Sequence, residues 1–185
     1  MTSLTKICLH WTGGNNYPCD TDLIAYHYCV DKDGKIYKGK YSPEDNLNCY
    51  DGNYAKHCGG GNTGCIGISL CAMSGFNLSK KQTKYPITQK QLEAFCLLAA
   101  YLCSKYGIII SEKTIFTHYG FDQRRVKNKQ EGKTDITYIN YLPNLTINSV
   151  GNYLRNKISW YKQKTEKGKY TLEKKGEYYE FIILD

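Results

Sequence analysis

The sequence lacks several features that would assign a protein to a particular class. Its longest apolar-rich stretch, FCLLAAYLC, is far shorter than the roughly 18 to 20 residues that cross a membrane, so we expect no transmembrane segment. The N-terminus shows no basic segment followed by a long apolar segment and a small-residue cleavage site. We therefore expect synthesis in the cytoplasm without a signal peptide.

No C-x-x-C spacing occurs among the nine cysteines, which argues against a structural zinc ribbon. Several cysteines lie inside apolar runs such as CIGISLC. In a chain without an export signal, this placement predicts reduced, buried thiols that pack as small hydrophobic residues. Disulfide bonds remain the alternative.

Positive charge is present and unevenly distributed. The formal net charge is +8, and residues 124–175 hold 13 Lys and Arg against 4 Asp and Glu, a net charge of +9. A basic face favours a polyanionic partner such as nucleic acid, a membrane surface or an anionic cell envelope. A solvated lysine face without a partner is the alternative. Because no nucleic-acid-binding motif is present, we expect no nucleic-acid partner.

Strand and turn patterns dominate the first third of the chain. The run LTKICLH predicts a strand, and AYHYCV followed by KIYKGK predicts a hairpin that turns at Asp33-Gly34. Residues 41–64 form a long Asn- and Gly-rich segment, and loops of that length are usually functional. The run CIGISLCAM predicts a central strand buried on both faces.

Helical patterns follow. Thr88 and Gln91 form a capping box, apolar residues recur at helical spacing after them, and Gly107 ends the pattern. A second helix is predicted from about 147 to 161, and the last residues predict a hairpin turning at Lys175-Gly176. Mixed strands and helices without regular β-α-β repetition indicate an α/β fold with a central mixed sheet flanked by helices. We predict one main domain over residues 1–144, with a helix and hairpin of residues 145–185 packed on it.

Two histidines each close a short apolar segment. His10 ends ICLH, His118 ends TIFTH, and Asp135 follows His118 by 17 residues. Two imidazoles and one carboxylate can bind Zn²⁺ and leave a fourth position for water. Taken singly, each residue has an ordinary explanation, since His10 can be a hydrogen-bonded core histidine and Asp135 a helix cap.

Four segments in order give the sequence a specific resemblance. LHWTGG, AYHYCVDKDGKIYKGK, HCGGGNTGCIGISL and THYGFDQRR with the later GKTD together resemble the motifs of the zinc-dependent N-acetylmuramoyl-L-alanine amidases. This type 2 amidase family includes phage lysozyme-like amidases and peptidoglycan recognition proteins. The resemblance covers about residues 5–137 and implies the family's mixed α/β fold.

The resemblance implies roles for individual residues. His10, His118 and Asp135 match the ligands of one Zn²⁺ ion per chain, with Asp135 at a position where some relatives have cysteine. Tyr26 matches a tyrosine near the metal-bound water in the phage lysozyme-like branch. Lys133 matches the lysine that stabilises the tetrahedral oxyanion.

Two further residues match the family's substrate groove, namely His57 and Asn62. One position departs from the family pattern, because Ser69 stands where the cell-wall-recycling branch often has a glutamate proposed as the general base. The resemblance therefore leaves the general base of this chain unassigned.

The resemblance implies an enzyme that cleaves the amide between N-acetylmuramic acid and L-alanine of the stem peptide, as a phage or prophage endolysin does. The expected substrate is peptidoglycan, reached at the cell wall after release from the cytoplasm. The basic region of residues 124–175 would contact an anionic wall polymer or lipopolysaccharide. A non-catalytic peptidoglycan-binding module is the alternative.

Overall fold

The structure, a computed structural model, describes residues 3–124 and 133–184. Its strands are β1 (Lys6–Trp11), β2 (Tyr28–Val30), β3 (Ile36–Lys38), β4 (Cys65–Leu70), β5 (Ile115–Thr117), β6 (Tyr170–Lys175) and β7 (Tyr178–Ile183). Its α-helices are α1 (Asp20–Ala25), α2 (Gln89–Tyr106), α3 (His118–Arg124) and α4 (Val150–Glu166), and a 3-10 helix covers Pro43–Leu47.

All seven strands form one sheet in the order β5-β1-β4-β2-β3-β7-β6. The pairs β5-β1, β1-β4 and β4-β2 are parallel, whereas β2-β3, β3-β7 and β7-β6 are antiparallel. The predicted mixed α/β architecture is therefore confirmed. The parallel half is buried on both faces, which is typical of parallel sheets.

The two central strands carry large residues on one face and small or polar residues on the other. In β4 the residues Ile66, Ile68 and Leu70 alternate with Gly67 and Ser69, because side chains along a strand point to opposite faces in turn. The large residues join the main core against α2. The opposite face has room for imidazole rings.

Helix α2 begins and ends as its sequence predicts. Thr88 Oγ1 accepts a hydrogen bond from the Gln91 backbone N–H at 3.1 Å, and Gly107 closes the helix in the left-handed conformation at φ 65°. The buried Gln91 amide also donates to the carbonyls of Val30 and Cys71, at 2.8 and 3.1 Å. These bonds join the start of the helix to the ends of two parallel strands.

The C-terminal segment packs on the rest of the chain. Helix α4 lies against α2, and β7 extends the sheet by pairing with β3. The predicted hairpin is confirmed, since Lys175 pairs with Tyr178 across the turn. The helix begins three residues later and ends five residues later than predicted. The boundary between residues 144 and 145 stays a prediction.

Two local features differ from or extend the sequence prediction. AYHYCV was predicted as strand, but Tyr26 instead ends the short helix α1 by donating its backbone N–H to the Asp22 carbonyl at 2.9 Å. Only Tyr28–Val30 then enters the sheet. All nine cysteines are free thiols in the structure and seven of them are buried. The predicted burial of most of them is confirmed, and their reduced state stays a prediction. Within the described ranges, no helix combines the length and apolar character needed to cross a membrane.

Candidate metal centre and active-site pocket

Three predicted ligands from distant parts of the chain converge at one point. His10 Nδ1 lies 2.8 Å from Asp135 Oδ2, and His118 Nδ1 lies 3.2 Å from the same oxygen. The two imidazole centroids are 4.7 Å apart. One ligand atom from each of the three side chains lies within 4.8 Å of the others, so a single metal ion is within reach of all three.

The sheet explains this convergence. His10 lies near the end of β1 and His118 directly after β5, and these neighbouring strands are parallel. The carboxyl ends of parallel strands meet at one edge of a sheet, where α/β folds place their ligands. Asp135 is held at this edge by a backbone hydrogen bond, in which the Tyr119 N–H donates to the Asp135 carbonyl at 2.6 Å.

Burial and mutual contact perturb the charges of the three residues. Burial alone raises the pKa of Asp135, but its close contacts with the imidazoles of His10 and His118 hold it below its usual range. Burial lowers the pKa of His10, and the neighbouring Asp135 offsets this only in part. For His118, burial also acts to lower the pKa, yet its bonds with Asp135 and Cys58 raise it to about 10.

The donor set fits zinc. Ligand bonds of about 2.0 to 2.1 Å in a tetrahedron place neighbouring donor atoms about 3.3 Å apart. The 2.8 and 3.2 Å separations around Asp135 Oδ2 are close to that value.

A second group of close ligand atoms comprises Cys8, His10 and His57. It fits zinc less well, because burial and the adjacent Cys58 raise the pKa of the Cys8 thiol and thiolate is the form that binds metal. Both ring nitrogens of His57 also engage protein groups. The set of His10, His118 and Asp135 is therefore the better candidate.

A cavity of about 210 Å³ opens beside these side chains. It is lined by the predicted residues Tyr26, His57, His118, Lys133 and Asp135. The remaining lining residues were not predicted from the sequence, and they are Trp11, Thr12, Gly13, Ala25 and Lys56.

Lys56 adds a second cation to the pocket, together with the exposed Lys133. Its sequence signal was its position next to His57 in a segment predicted to be a functional loop. Two lysines at one opening favour a substrate that carries negative charge near the site.

Tyr26 and Ser69 lie on the ligand face of the sheet. The Tyr26 ring is 5.1 Å from the His10 ring, and burial, followed by the charge of Asp135, raises the pKa of its phenol. Ser69 pairs with His10 in the register of β1 and β4 and is fully buried. Among the described residues, its hydroxyl has no hydrogen-bond partner within normal limits.

The two predicted groove residues occupy different environments. His57 lines the pocket but is only 6% exposed, and its ring packs on Gly67, where an added Cβ would lie 2.3 Å from His57 Cγ. Asn62 is absent from the lining of the cavity; its side-chain oxygen accepts the backbone N–H of Cys58 at 2.8 Å. The structure thus brings His57, but not Asn62, to the pocket.

His27, the fourth histidine, stabilises the long loop. The Gly67 backbone N–H donates to His27 Nδ1 at 2.8 Å, and His27 Nε2 then donates to Asn46 Oδ1 at 3.0 Å. Asn46 in turn donates to the carbonyls of Ala55 and Asn62. These contacts hold the 41–64 segment against the sheet and position His57.

Comparison with known proteins identifies related sequences and folds. The family model Amidase_2, described as N-acetylmuramoyl-L-alanine amidase, matches residues 1–135. One similar solved structure is the Ph2119 endolysin from Thermus scotoductus MAT2119 bacteriophage Ph2119, with 18% identity, a TM-score of 0.46, and coverage of 68% of this chain and 77% of that chain.

A second similar structure is the N-acetylmuramyl-L-alanine amidase AmiD from E. coli, solved with anhydro-N-acetylmuramic acid-L-Ala-D-gamma-Glu-L-Lys. It shares 19% identity and a TM-score of 0.43, over 70% of this chain and 52% of that chain. This chain therefore spans about half of the AmiD length. No curated protein matches the sequence significantly.

Proposed function

We infer, from the fact that this chain belongs to the N-acetylmuramoyl-L-alanine amidase family, that it is a zinc-dependent peptidoglycan hydrolase. The bond cleaved is the amide between the lactyl group of N-acetylmuramic acid and L-alanine of the stem peptide. One observation carries this proposal: the ligand atoms of His10, His118 and Asp135 meet within 4.8 Å at the edge of a pocket.

Zinc held by these three residues would supply Lewis-acid polarisation of the scissile carbonyl and acidification of a water to a pKa of about 7. The residues of the chain would supply positioning and charge. The ammonium of Lys133, exposed at the pocket, would stabilise negative charge that develops on the carbonyl oxygen. Lys56 would attract and orient an anionic stem peptide at the same opening.

Tyr26 would act as a hydrogen-bond donor. Because its phenol pKa is raised further above the ordinary value of 10, the hydroxyl stays protonated at neutral pH and can orient the attacking water or the carbonyl oxygen. Ser69 cannot replace the glutamate base of other family members, since a hydroxyl does not accept protons as a carboxylate does. The attacking water supplies both the hydroxyl that the carbonyl carbon gains and the proton that the leaving amine takes up.

The decisive experiment measures zinc content and amidase activity together. We expect about one zinc per chain, release of stem peptide from purified peptidoglycan, inactivation by a chelator and recovery with zinc. The variant His118→Ala should lose both zinc and activity, whereas His27→Gln, outside the ligand set, should keep the zinc. Zinc-loaded protein that binds muropeptide without hydrolysis would instead support the peptidoglycan-binding alternative.

We further propose that the protein acts on the cell wall from outside the cytoplasm after release, as an endolysin. The supporting observation is the sequence resemblance to the phage lysozyme-like branch. Added protein should lower the turbidity of bacteria whose wall is exposed, and Asp135→Ala should abolish this effect. Activity confined to soluble muropeptides would contradict an endolysin and favour a recycling enzyme.

A further inference from the structure

Beneath the candidate metal centre, a chain of two hydrogen bonds links a ligand to the backbone of β4. His57 Nε2 lies 3.2 Å from the carbonyl oxygen of Cys65, and His57 Nδ1 lies 3.2 Å from His10 Nε2. A carbonyl oxygen can only accept a hydrogen bond. His57 Nε2 must therefore carry the proton of this contact.

This first proton determines the next one. In a neutral imidazole, one ring nitrogen donates and the other accepts, so His57 Nδ1 is an acceptor. His10 Nε2 must then carry a proton and donate it to His57. One backbone carbonyl thus selects the tautomer of two successive histidines.

The consequence appears at the other nitrogen of His10. With the proton on Nε2, the Nδ1 lone pair points at Asp135 Oδ2 across 2.8 Å. Two hydrogen-bond acceptors repel each other at that distance unless a cation lies between them or is shared by them. The Cys65 carbonyl, acting through His57, therefore favours the His10 tautomer whose unprotonated Nδ1 can bind a metal ion.

We propose that His57 is a positioning residue for the metal centre, which anchors His10 to the Cys65 carbonyl in its metal-binding tautomer. The inference rests on the zinc site of the proposed function. It replaces the substrate-binding role that the sequence predicted for His57 with a role in positioning a metal ligand. Metal-ligating histidines usually donate their second N–H to a carbonyl or carboxylate. Here a second histidine is inserted between the ligand and the carbonyl.

Two observations on packing support this role. His57 is only 6% exposed and therefore offers little surface to a substrate. Its position also requires Gly67, since any side chain there would overlap the ring. The strand that supplies the anchoring carbonyl thus also leaves the space that the His57 ring occupies.

Substitutions at two buried residues test the proposal. His57→Phe keeps a ring but removes both hydrogen bonds, and its zinc affinity, measured by chelator competition, should fall roughly 10- to 100-fold. His57→Gln offers an amide donor and an acceptor and should recover most of that loss. Gln91→Leu is the matched control, because it removes two buried hydrogen bonds at the start of α2 without touching His57 or the ligand set, and its zinc affinity should stay within about 3-fold of wild type.

A spectroscopic measurement tests the tautomers directly. Long-range ¹H–¹⁵N spectra of the zinc-loaded wild type should show protons on Nε2 of both His10 and His57. A proton on His10 Nδ1 would overturn the proposal, even if His57→Phe failed to fold. Unchanged zinc affinity with a raised KM in His57→Phe would also overturn it and restore the substrate-binding role. A wild type that binds no zinc would sink the proposed function as well, so the two failures are distinguishable.

Discussion

At the scale of single residues, the site collects titratable groups whose charges depend on one another. Asp135 is held ionised by two histidines, while His118 gains a proton from its contacts with Asp135 and Cys58. Both effects belong to the metal-free protein. The metal must therefore compete with a proton for His118, and this competition makes metal binding depend on pH.

The pKa of His118, raised to about 10, predicts the direction of that dependence. Between about pH 6.5 and pH 9 the metal-free protein holds a proton on His118 that zinc must displace, so zinc affinity should rise by about tenfold per pH unit. The same proton stabilises the metal-free fold fully below about pH 6.5, and that stabilisation is lost as pH rises through about 10.

Zinc titrations against a competing chelator, corrected for protonation of the chelator, measure this slope. In metal-free Asp135→Asn the carboxylate that raises the His118 pKa is removed, so the His118 pKa followed by NMR should fall from about 10 toward its ordinary value. A flat profile in the wild type between pH 7 and pH 9 would show that His118 is already neutral there.

At the scale of elements, strand β4 packs against the core with one face and lines the candidate metal centre with the other. Its large side chains join the core, while Gly67 and Ser69 face the imidazoles.

We predict that Gly67→Ala destabilises the fold by about 1 to 3 kcal/mol, since the new Cβ overlaps the His57 ring. Urea denaturation measures this cost. Ser69→Ala, on the same face, should change stability by less than about 0.5 kcal/mol, and equal losses in both variants would refute the overlap.

Helix α2 depends on its N-terminal cap. Thr88 Oγ1 accepts the Gln91 N–H and donates to the Lys32 carbonyl at 2.5 Å, joining the helix to the β2-β3 turn. Thr88→Ala should lower the free energy of unfolding by about 0.5 to 2 kcal/mol. Thr88→Ser keeps the hydroxyl and should recover most of this loss in thermal unfolding; if Ser is as destabilising as Ala, the hydroxyl is not the cause.

Local patterns predicted these elements because each is determined by near neighbours in the chain. The cap of α2, the closing Gly107 and the hairpin turn at Gly176 follow from backbone preferences at single positions. Helix α1 was not predicted, since its six residues contain no buried side chain and hence no amphipathic pattern. The convergence of His10 with His118 depends on sheet order, and the assignment of these residues and Asp135 as ligands came from the ordered motifs.

Roles that depend on the environment of a side chain were harder to predict from the sequence. His57 and Asn62 were both expected in the groove, but nothing in their spacing indicates that His57 contacts a backbone carbonyl or that Asn62 holds a loop. Lys56 was missed because a single lysine carries no pattern. Packing around each of these residues involves strands and loops that are distant in the chain.

At the scale of the whole molecule, the basic region of residues 124–175 is partly neutralised internally. Lys157 lies 2.7 Å from Glu93, and Lys162 lies 2.5 Å from Glu166. Residues 125–132, which hold several of its cations, lie outside the described residues. The exposed lysines at the end of α4 and on the hairpin include Lys167, Lys169 and Lys174.

We predict that binding of the protein to purified cell walls weakens steeply with salt, because exposed charges separated by more than about 8 to 10 Å are screened near physiological ionic strength. Replacing Lys167, Lys169 and Lys174 together by Glu should reduce wall retention at low salt. Co-sedimentation with walls across a NaCl series measures this effect.

A charge-matched control shows whether wall retention depends on the position of the lysines or only on the net charge of the protein. The same triple replacement at three exposed lysines outside the basic region, Lys80, Lys81 and Lys84, should leave retention closer to wild type. Both triple variants should hydrolyse small soluble muropeptides at wild-type rates. Equal loss of retention in both, or retention that does not respond to salt, would count against a specific role for residues 124–175.

Strand β6 is the outermost strand of the sheet, next to β7. One row of its backbone amides and carbonyls faces away from the sheet, and such rows can template edge-to-edge aggregation. The strand ends in the charged residues Glu173, Lys174 and Lys175, which oppose the addition of a second molecule. Variants made to alter wall binding should therefore avoid apolar replacements on this hairpin. Such replacements would remove the charges that oppose edge-to-edge pairing and would favour the formation of fibrils.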